Sequence, residues 1–192
     1  MKKSNSLAEI YPFDPQTQAY TIPVRLSRYS DLFNPMDPSP VPARDLSLKL
    51  ADYLEQCSAE IPLKFPLTIA LQIQHDARDP LSEEECRGSL RSFYQHAIFL
   101  TRAQISRKRR KALNYFLISI ACLALYIFSG TLNLAGFLWN LLHEAILIGG
   151  WVFMWEAVTV NFIEMDEPSQ AVQKFQRLIQ AQVLFDYTPV QP

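Results

Sequence analysis

The run ALNYFLISIACLALYIF at residues 112–128 contains no charged side chain, and the fold depends on it. A helix rises about 1.5 Å per residue, so this run covers roughly 25 Å of a bilayer core about 30 Å thick. A second apolar run at residues 145–163 is interrupted only by Glu156 and Asn161. The sequence therefore predicts a transmembrane hairpin of two helices over residues 112–163. The alternative, a buried helical pair in a soluble protein, needs more surrounding chain than 192 residues provide.

The residues on either side of the hairpin predict its orientation. Five consecutive basic residues precede the first helix, whereas residues 131–142, which link the two helices, include none. Because cytoplasmic flanks are enriched in Lys and Arg, both termini are expected in the cytoplasm, with the linking turn outside and Trp139 at the lipid headgroups. Nucleic-acid binding or nuclear targeting is a less favoured role for the basic run, since it adjoins a spanning segment. This topology anchor consists of Arg107, Lys108, Arg109, Arg110 and Lys111.

The composition argues against several functional classes. The 18 Lys and Arg nearly balance the 19 Asp and Glu, so no overall positive field favours nucleic acid. Three widely spaced cysteines, Cys57, Cys86 and Cys122, support neither a disulfide framework nor a zinc site, and no cofactor is expected. Residues 4–18 contain no apolar run long enough for a signal peptide, so the N-terminus is expected to stay in the cytoplasm.

Catalytic motifs are also missing from the sequence. It contains no Gly-rich phosphate loop, nucleophile elbow or H-E-x-x-H pattern, so the protein is predicted not to be an enzyme. The spacing of His75, Asp76 and Asp79 matches no metal-ligand pattern, and the neighbouring Ala77, Arg78 and Pro80 predict a turn. Cys57 is expected on the buried face of its helix. Cys86 is expected in the exposed first turn of the following helix, where neighbouring glutamates disfavour its thiolate form.

Residues 19–111 predict a small cytoplasmic α/β part that follows an N-terminal tail at residues 1–18. Two runs alternate with a period of two, as strands with one covered face do; they carry Tyr20, Ile22, Val24 and Leu26, then Leu67, Ile69, Leu71 and Ile73. Between the strands, apolar residues follow a helical stripe, with Asp45 or Ser47 as N-cap and Pro62 as the stop. This order predicts a βαβ unit with parallel strands.

Two further helices and a strand complete the predicted fold. Ser82, with Glu85 three residues later, offers a capping box for one long helix that continues into the membrane. Residues 164–192 predict a helix that opens at Pro168 or Ser169, followed by a third strand at residues 182–187. The predicted class is an α/β membrane protein whose small cytoplasmic βαβ-containing domain is interrupted by a two-helix transmembrane hairpin.

Four prolines stiffen the loop YSDLFNPMDPSPVPARDL at residues 29–46. Its aspartates at positions 31, 37 and 45 can accept bonds from nearby amides and fix turns. The favoured interpretation is a clamp that lays Leu32 and Phe33 over the sheet. The other is a docking surface for a partner protein, because a preorganised Pro-rich segment binds at low entropic cost. The candidate docking residues are Leu32, Phe33, Pro35, Asp37, Pro38, Pro40, Arg44 and Asp45.

Three parts of the chain resemble an uncharacterised family of small bacterial two-helix inner-membrane proteins. They are DLFNPMDPSPVPARDLS at residues 31–47, ADYLEQCSAEIPL at residues 51–63, and the two-helix membrane segment. The resemblance covers residues 23–164 and depends mainly on the stretch from DPSP to RDL. It implies a bacterial inner membrane. It brings no activity, substrate or cofactor, so no functional residue is transferred.

Polar residues within the predicted spans are Asn114, Ser119, Glu156 and Asn161. Glu156 is expected about 10 Å inside the membrane, where an ionised carboxylate is costly. If Lys111 lies level with Glu164, Ser119 faces Glu156 and Asn114 faces Asn161, and hydrogen bonds within one molecule satisfy all four. The alternatives are a proton or cation path in a homo-oligomer, or pairing with a partner helix.

These features lead to a first hypothesis and a rival. The first is an inner-membrane-anchored adaptor or complex subunit that presents its cytoplasmic α/β domain to a protein partner. The rival is a homo-oligomeric channel or transport subunit in which Glu156 lines a proton or cation path. The expected partners are the lipid bilayer and either another protein or further copies of the chain, and no nucleic acid is expected.

Overall fold

The computed structural model describes residues 7, 9–41, 44–131 and 136–187. The chain is a mixed α/β protein with a four-stranded sheet in this described part. The elements are β1 (Phe13–Asp14), β2 (Ala19–Leu26), a short 3-10 helix (Tyr29–Leu32), α1 (Leu48–Glu60), β3 (Leu67–Ile73), α2 (Pro80–Gly130), α3 (Phe137–Phe162), α4 (Asp166–Gln180) and β4 (Gln182–Asp186).

The sheet has the strand order β1-β2-β3-β4. β1 pairs antiparallel with the start of β2, whereas β2, β3 and β4 are parallel. Ile22 pairs with Ile69, which in turn pairs with Val183. The predicted parallel βαβ unit and the predicted third strand are therefore both confirmed.

The described residues form two compact units. One is built from those in Met1–Phe99 and Ala171–Pro192 and contains the sheet; it is called the α/β unit below. The other is built from those in Leu100–Gln170 and contains α3 with most of α2; it is called the helical unit.

One face of the sheet forms the core of the α/β unit. The alternating side chains predicted to share the covered face of β2 and β3 are buried, and Leu54, Tyr94 and Leu178 from three helices pack in the same core. On the other face of β2, Pro23 and Arg25 are exposed. α1 begins after Ser47 and ends at Glu60, close to the predicted stop.

The start of α2 differs from the prediction. The helix begins at Pro80, and the Asp79 carboxylate, not Ser82, caps it by accepting bonds from the N–H groups of Leu81 and Ser82. Proline is well placed at the first helical position, where no N–H bond is lost. Cys86, predicted to be exposed, is buried in the core. Its burial, with a smaller effect of nearby Glu85, raises the pKa of the thiol to about 12.

In the helical unit, α2 and α3 are each long and apolar enough to cross a membrane. In the most apolar window of α2 only 11% of the residues are buried. Trp139 lies inside α3, not in a turn as predicted, because α3 begins at Phe137. Residues 132–135 of the predicted turn lie outside the described residues.

Candidate functional site

The outer edge of β2 is only partly paired. β1 is two residues long and pairs with Ala19 and Tyr20 alone. Further along β2, the Leu26 carbonyl accepts a hydrogen bond from the Gln74 N–H, on the side that faces β3. The backbone groups of successive residues in a strand point to opposite edges, so the N–H and C=O of Arg25 point to the outer edge of β2. No residue in the described ranges pairs with these two groups. A free strand edge can add a strand from another chain.

A groove of about 590 Å³ lies beside this free edge. Lys49 and Tyr53 of α1 stand on its other side, and the Tyr53 hydroxyl donates to the Pro23 carbonyl at 3.0 Å. Burial raises the pKa of Tyr53 above its ordinary value. The edge groove, as it is called below, is lined by Pro23, Val24, Arg25, Leu26, Asp31, Ser47, Lys49, Leu50, Tyr53 and Gln72.

The Pro-rich loop begins and ends at this groove. Leu32 and Phe33 are buried in the core, as the clamp interpretation predicts, so neither contributes to an exposed docking surface. Phe33 forms an antiparallel bridge with Leu46, which closes the loop at its base. The docking role of the remaining loop residues stays a prediction. Residues 42 and 43 lie outside the described ranges.

Side chains inside the loop hold its shape. The Asp37 carboxylate accepts bonds from the N–H groups of Ser39 at 2.9 Å and Asp45 at 2.7 Å, and Arg44 donates to the Ser39 carbonyl at 3.0 Å. Asp45 acts through its main chain, whereas Asp31 accepts bonds through its carboxylate, as predicted. The exposed candidate docking residues are Pro35, Pro38, Pro40 and Asp45. Met36, which was not among the predicted docking residues, is 90% exposed.

The loop is expected to loosen at low pH. Hydrogen bonding, chiefly from Ser39, lowers the pKa of Asp37 to about 2. A carboxylate with a lowered pKa stabilises the folded loop above the unfolded value of about 3.9, and this stabilisation is lost as pH falls towards 2. Amide exchange at Ser39 and Asp45, corrected for its intrinsic pH dependence, should therefore be less protected at pH 2 than at pH 5. At neutral pH, Asp37→Asn should reproduce the loss, and Asp52→Asn on exposed α1 surface should not. Equal protection in all cases would contradict this account.

A polar cluster lies at the carboxyl ends of the parallel strands, where open α/β sheets often bind ligands. Glu83 accepts a bond from the Tyr187 hydroxyl at 2.6 Å and pairs with Arg87 at 3.0 Å and Arg78 at 3.5 Å. The Tyr187 hydroxyl also lies 2.6 Å from that of Tyr29. The hydrogen bond from Tyr187 is the main cause that lowers the pKa of Glu83, and burial is the main cause that raises the pKa of Tyr187.

The groups of this cluster satisfy one another. Protein donors engage both carboxylate oxygens of Glu83, so the cluster fixes the end of β4 to the start of α2. Asp76 accepts a bond from the Tyr29 N–H at 2.7 Å, and Asp79 caps α2, in line with the predicted turn. No group of three metal-ligating side chains occurs among the residues that the structure describes.

A buried arginine that no sequence motif indicates joins two helices of the α/β unit. Arg177 of α4 is 8% exposed, and its guanidinium donates to the carbonyls of Ser58, Ile61 and Pro62 at the end of α1. The sequence around Arg177 carries no signal of its burial, because its acceptors are more than a hundred residues away in the chain.

The predicted polar pairs of the helical unit have a different register. Ser119 donates to the Gly150 carbonyl at 2.7 Å, about two turns from Glu156, so the predicted Ser119–Glu156 pair is wrong. Glu156 instead lies 3.8 Å from Lys111. The contact between the Tyr115 and Phe153 rings continues this register, so Asn114 does not lie level with Asn161 as predicted. Both asparagines are exposed.

The basic run is divided between two roles. Lys111 pairs with Glu156 and joins α2 to α3, and Lys108 pairs at 3.3 Å with Glu164, which follows the end of α3. Arg107, Arg109 and Arg110 form no ion pair with any residue in the described ranges and are exposed. Three of the five anchor residues therefore remain available for other anionic groups.

Comparisons of the chain with protein-family models, curated proteins and solved structures found no match.

Proposed function

We propose that the protein is a two-pass membrane adaptor of the bacterial inner membrane, with both termini in the cytoplasm, which binds an extended segment of a protein partner. The edge groove carries this proposal. The free backbone N–H and C=O of Arg25 can form hydrogen bonds with a strand added by the partner. The walls of the groove can contact every second side chain of that strand.

Exposed apolar side chains support the membrane part of the proposal. Leu117 and Phe128 of α2, and Trp151 and Trp155 of α3, are each more than half exposed. Clustered apolar surface of this extent is unfavourable in water and favourable in a bilayer. The charge distribution supports the orientation, since the free arginines at positions 107, 109 and 110 lie at one end of the apolar segments.

The rival, a homo-oligomeric channel with Glu156 on an ion path, lacks a specific supporting observation. Lys111 lies within ion-pair distance of the Glu156 carboxylate and accounts for it within one chain. The pair joins α2 to α3, as a structural ion pair would.

The proposal predicts a partner that touches the edge groove in living cells. A photo-crosslinking amino acid placed at Lys49, which lines the groove, should give one defined adduct with a second protein in the membrane fraction. The same group at Gln56, exposed on the same helix outside the groove, should not. Arg25→Pro should lower the adduct yield at least about tenfold, because proline removes the N–H that an added strand needs.

Matched controls separate strand addition from other contacts. Pro23 already occupies an equivalent outward position in β2, so a second proline is compatible with the fold. Arg25→Ala keeps the N–H and should retain most of the adduct. Adducts that form equally at both positions, or that survive Arg25→Pro, would rule out strand addition. Release of the full chain from membranes by alkaline carbonate would rule out the membrane anchor.

A further inference from the structure

A second groove, of about 460 Å³, lies between α2 and α3 inside the helical unit. Ala112 and Ala157 are buried at its floor, where their small side chains leave the space open. Its walls include Phe116 of α2 and Met154 of α3. This interhelical groove is therefore apolar along most of its length.

One end of the interhelical groove is cationic. Arg109 lines it there, near Asn161 and Met165. The described residues that line the groove include no carboxylate, and the two nearby glutamates, Glu156 and Glu164, already face lysines. Arg109 itself forms no ion pair within the described ranges. The groove thus combines an unmatched guanidinium with an apolar channel.

Arg109 lies at the membrane depth expected for the phosphate of a lipid headgroup. From Arg109 to Phe116 the groove follows α2 for about 10 Å, from the charged end of the helix into its uncharged stretch. In the membrane orientation proposed above, this places the guanidinium at the cytoplasmic headgroup level and Phe116 at the depth of acyl chains. A guanidinium binds phosphate oxygens through paired hydrogen bonds.

We propose that the interhelical groove binds an anionic phospholipid, with its phosphate at Arg109 and one acyl chain between Phe116 and Met154. The inference requires the proposed membrane insertion. An apolar helix from a second copy of the chain is a poorer occupant, because it would cover the Arg109 charge without a counter-ion. A phospholipid satisfies both the charge and the apolar walls.

Native mass spectrometry of the full chain in mild detergent tests the proposal. The protein is offered equal amounts of phosphatidylglycerol and phosphatidylcholine with identical acyl chains, and the retained lipid is counted. We expect about tenfold more phosphatidylglycerol than phosphatidylcholine on the unaltered chain, and less than about twofold on Arg109→Gln. Arg107→Gln, which removes an equal charge outside the groove, should keep the preference.

A second pair of variants tests the apolar channel. Val158 lines the groove, whereas Val152 is exposed elsewhere on the same helix. Val158→Trp should fill the groove and reduce retained phosphatidylglycerol, and Val152→Trp should not. Inorganic phosphate at millimolar concentration should not displace the lipid, because it has no apolar chain.

Several outcomes would overturn the lipid site. They are equal retention of both lipids, equal losses in Arg107→Gln and Arg109→Gln, displacement by inorganic phosphate, or a stable dimer with the groove covered by a second copy. Each can be observed with a chain that resists alkaline carbonate extraction, so failure of the lipid site is distinguishable from failure of the membrane anchor.

Discussion

Arg177→Met is expected to lower the free energy of unfolding of the α/β unit by about 2–4 kcal/mol. The guanidinium donates to the carbonyls of Ser58 and Ile61 and to the Ser58 hydroxyl. These carbonyls belong to the last turn and cap of α1, where backbone acceptors lack helical partners. Methionine fills similar space but leaves the buried acceptors without donors, and each such loss costs about 1–3 kcal/mol.

The helix dipole adds to the effect of Arg177. The C-terminus of a helix carries partial negative charge, which a buried cation stabilises. Burial lowers the pKa of Arg177, but an arginine remains protonated at neutral pH. The guanidinium therefore supplies charge as well as donors to the end of α1.

Pulse proteolysis of the full chain in urea and mild detergent measures this loss. Lys174→Met on the same helix removes one positive charge from a half-buried position and should cost less than about 1 kcal/mol. Similar losses for the two variants would show that charge on α4, and not the capping of α1, determines the stability.

Gly150→Val is expected to weaken the packing of α2 against α3 by about 1–3 kcal/mol. A Cβ atom at Gly150 would lie 3.1 Å from Leu123 Cδ2 and 3.3 Å from Cys122 Cβ, and the branched methyl groups of valine need still more room. The substitution also threatens the bond from Ser119 to the Gly150 carbonyl. Close approach at a small residue is a common basis of helix association in membranes.

Gly149 provides a matched control for Gly150. No atom outside its own helix lies within 4 Å of a Cβ built there, so Gly149→Val has the same change of side chain without the clash. All three tryptophans belong to α3, which makes their fluorescence a probe of hairpin unfolding in an SDS titration. We expect a lower SDS midpoint for Gly150→Val alone; equal midpoints would show that the helices do not meet at Gly150.

Much of the fold could be predicted because its signals are local. Alternation in β2 and β3 reports one covered face, and the uncharged run at residues 112–128 reports a long apolar helix, whatever surrounds them. The clamp interpretation of the Pro-rich loop placed Leu32 and Phe33 against the sheet, and both side chains are buried. Helix α2 began earlier than predicted because Asp79 supplies the cap and Pro80 fits the first turn.

The candidate sites needed three-dimensional information. The register between α2 and α3 depends on where Gly150 lets Ser119 approach, and an alignment of charges at the helix ends missed this contact. The edge groove exists because β1 stops after two residues, which leaves Arg25 unpaired on one side. Strand order and helix register are set by contacts between distant segments, and a single sequence carries no periodic signal for them.

By itself the sequence determined the three parallel strands, the long helices and the two apolar segments, because hydrophobic period and charge act within a few turns of chain. It did not predict β1, which lies within the predicted N-terminal tail, or the short 3-10 helix at Tyr29–Leu32. The tertiary structure alone decided which polar groups meet. Arg177 with the end of α1, Lys111 with Glu156, and Glu83 with Tyr187 are pairs distant in sequence. The physical reason is that a buried polar group must find a partner wherever the folded chain provides one, and that choice depends on the whole packing arrangement.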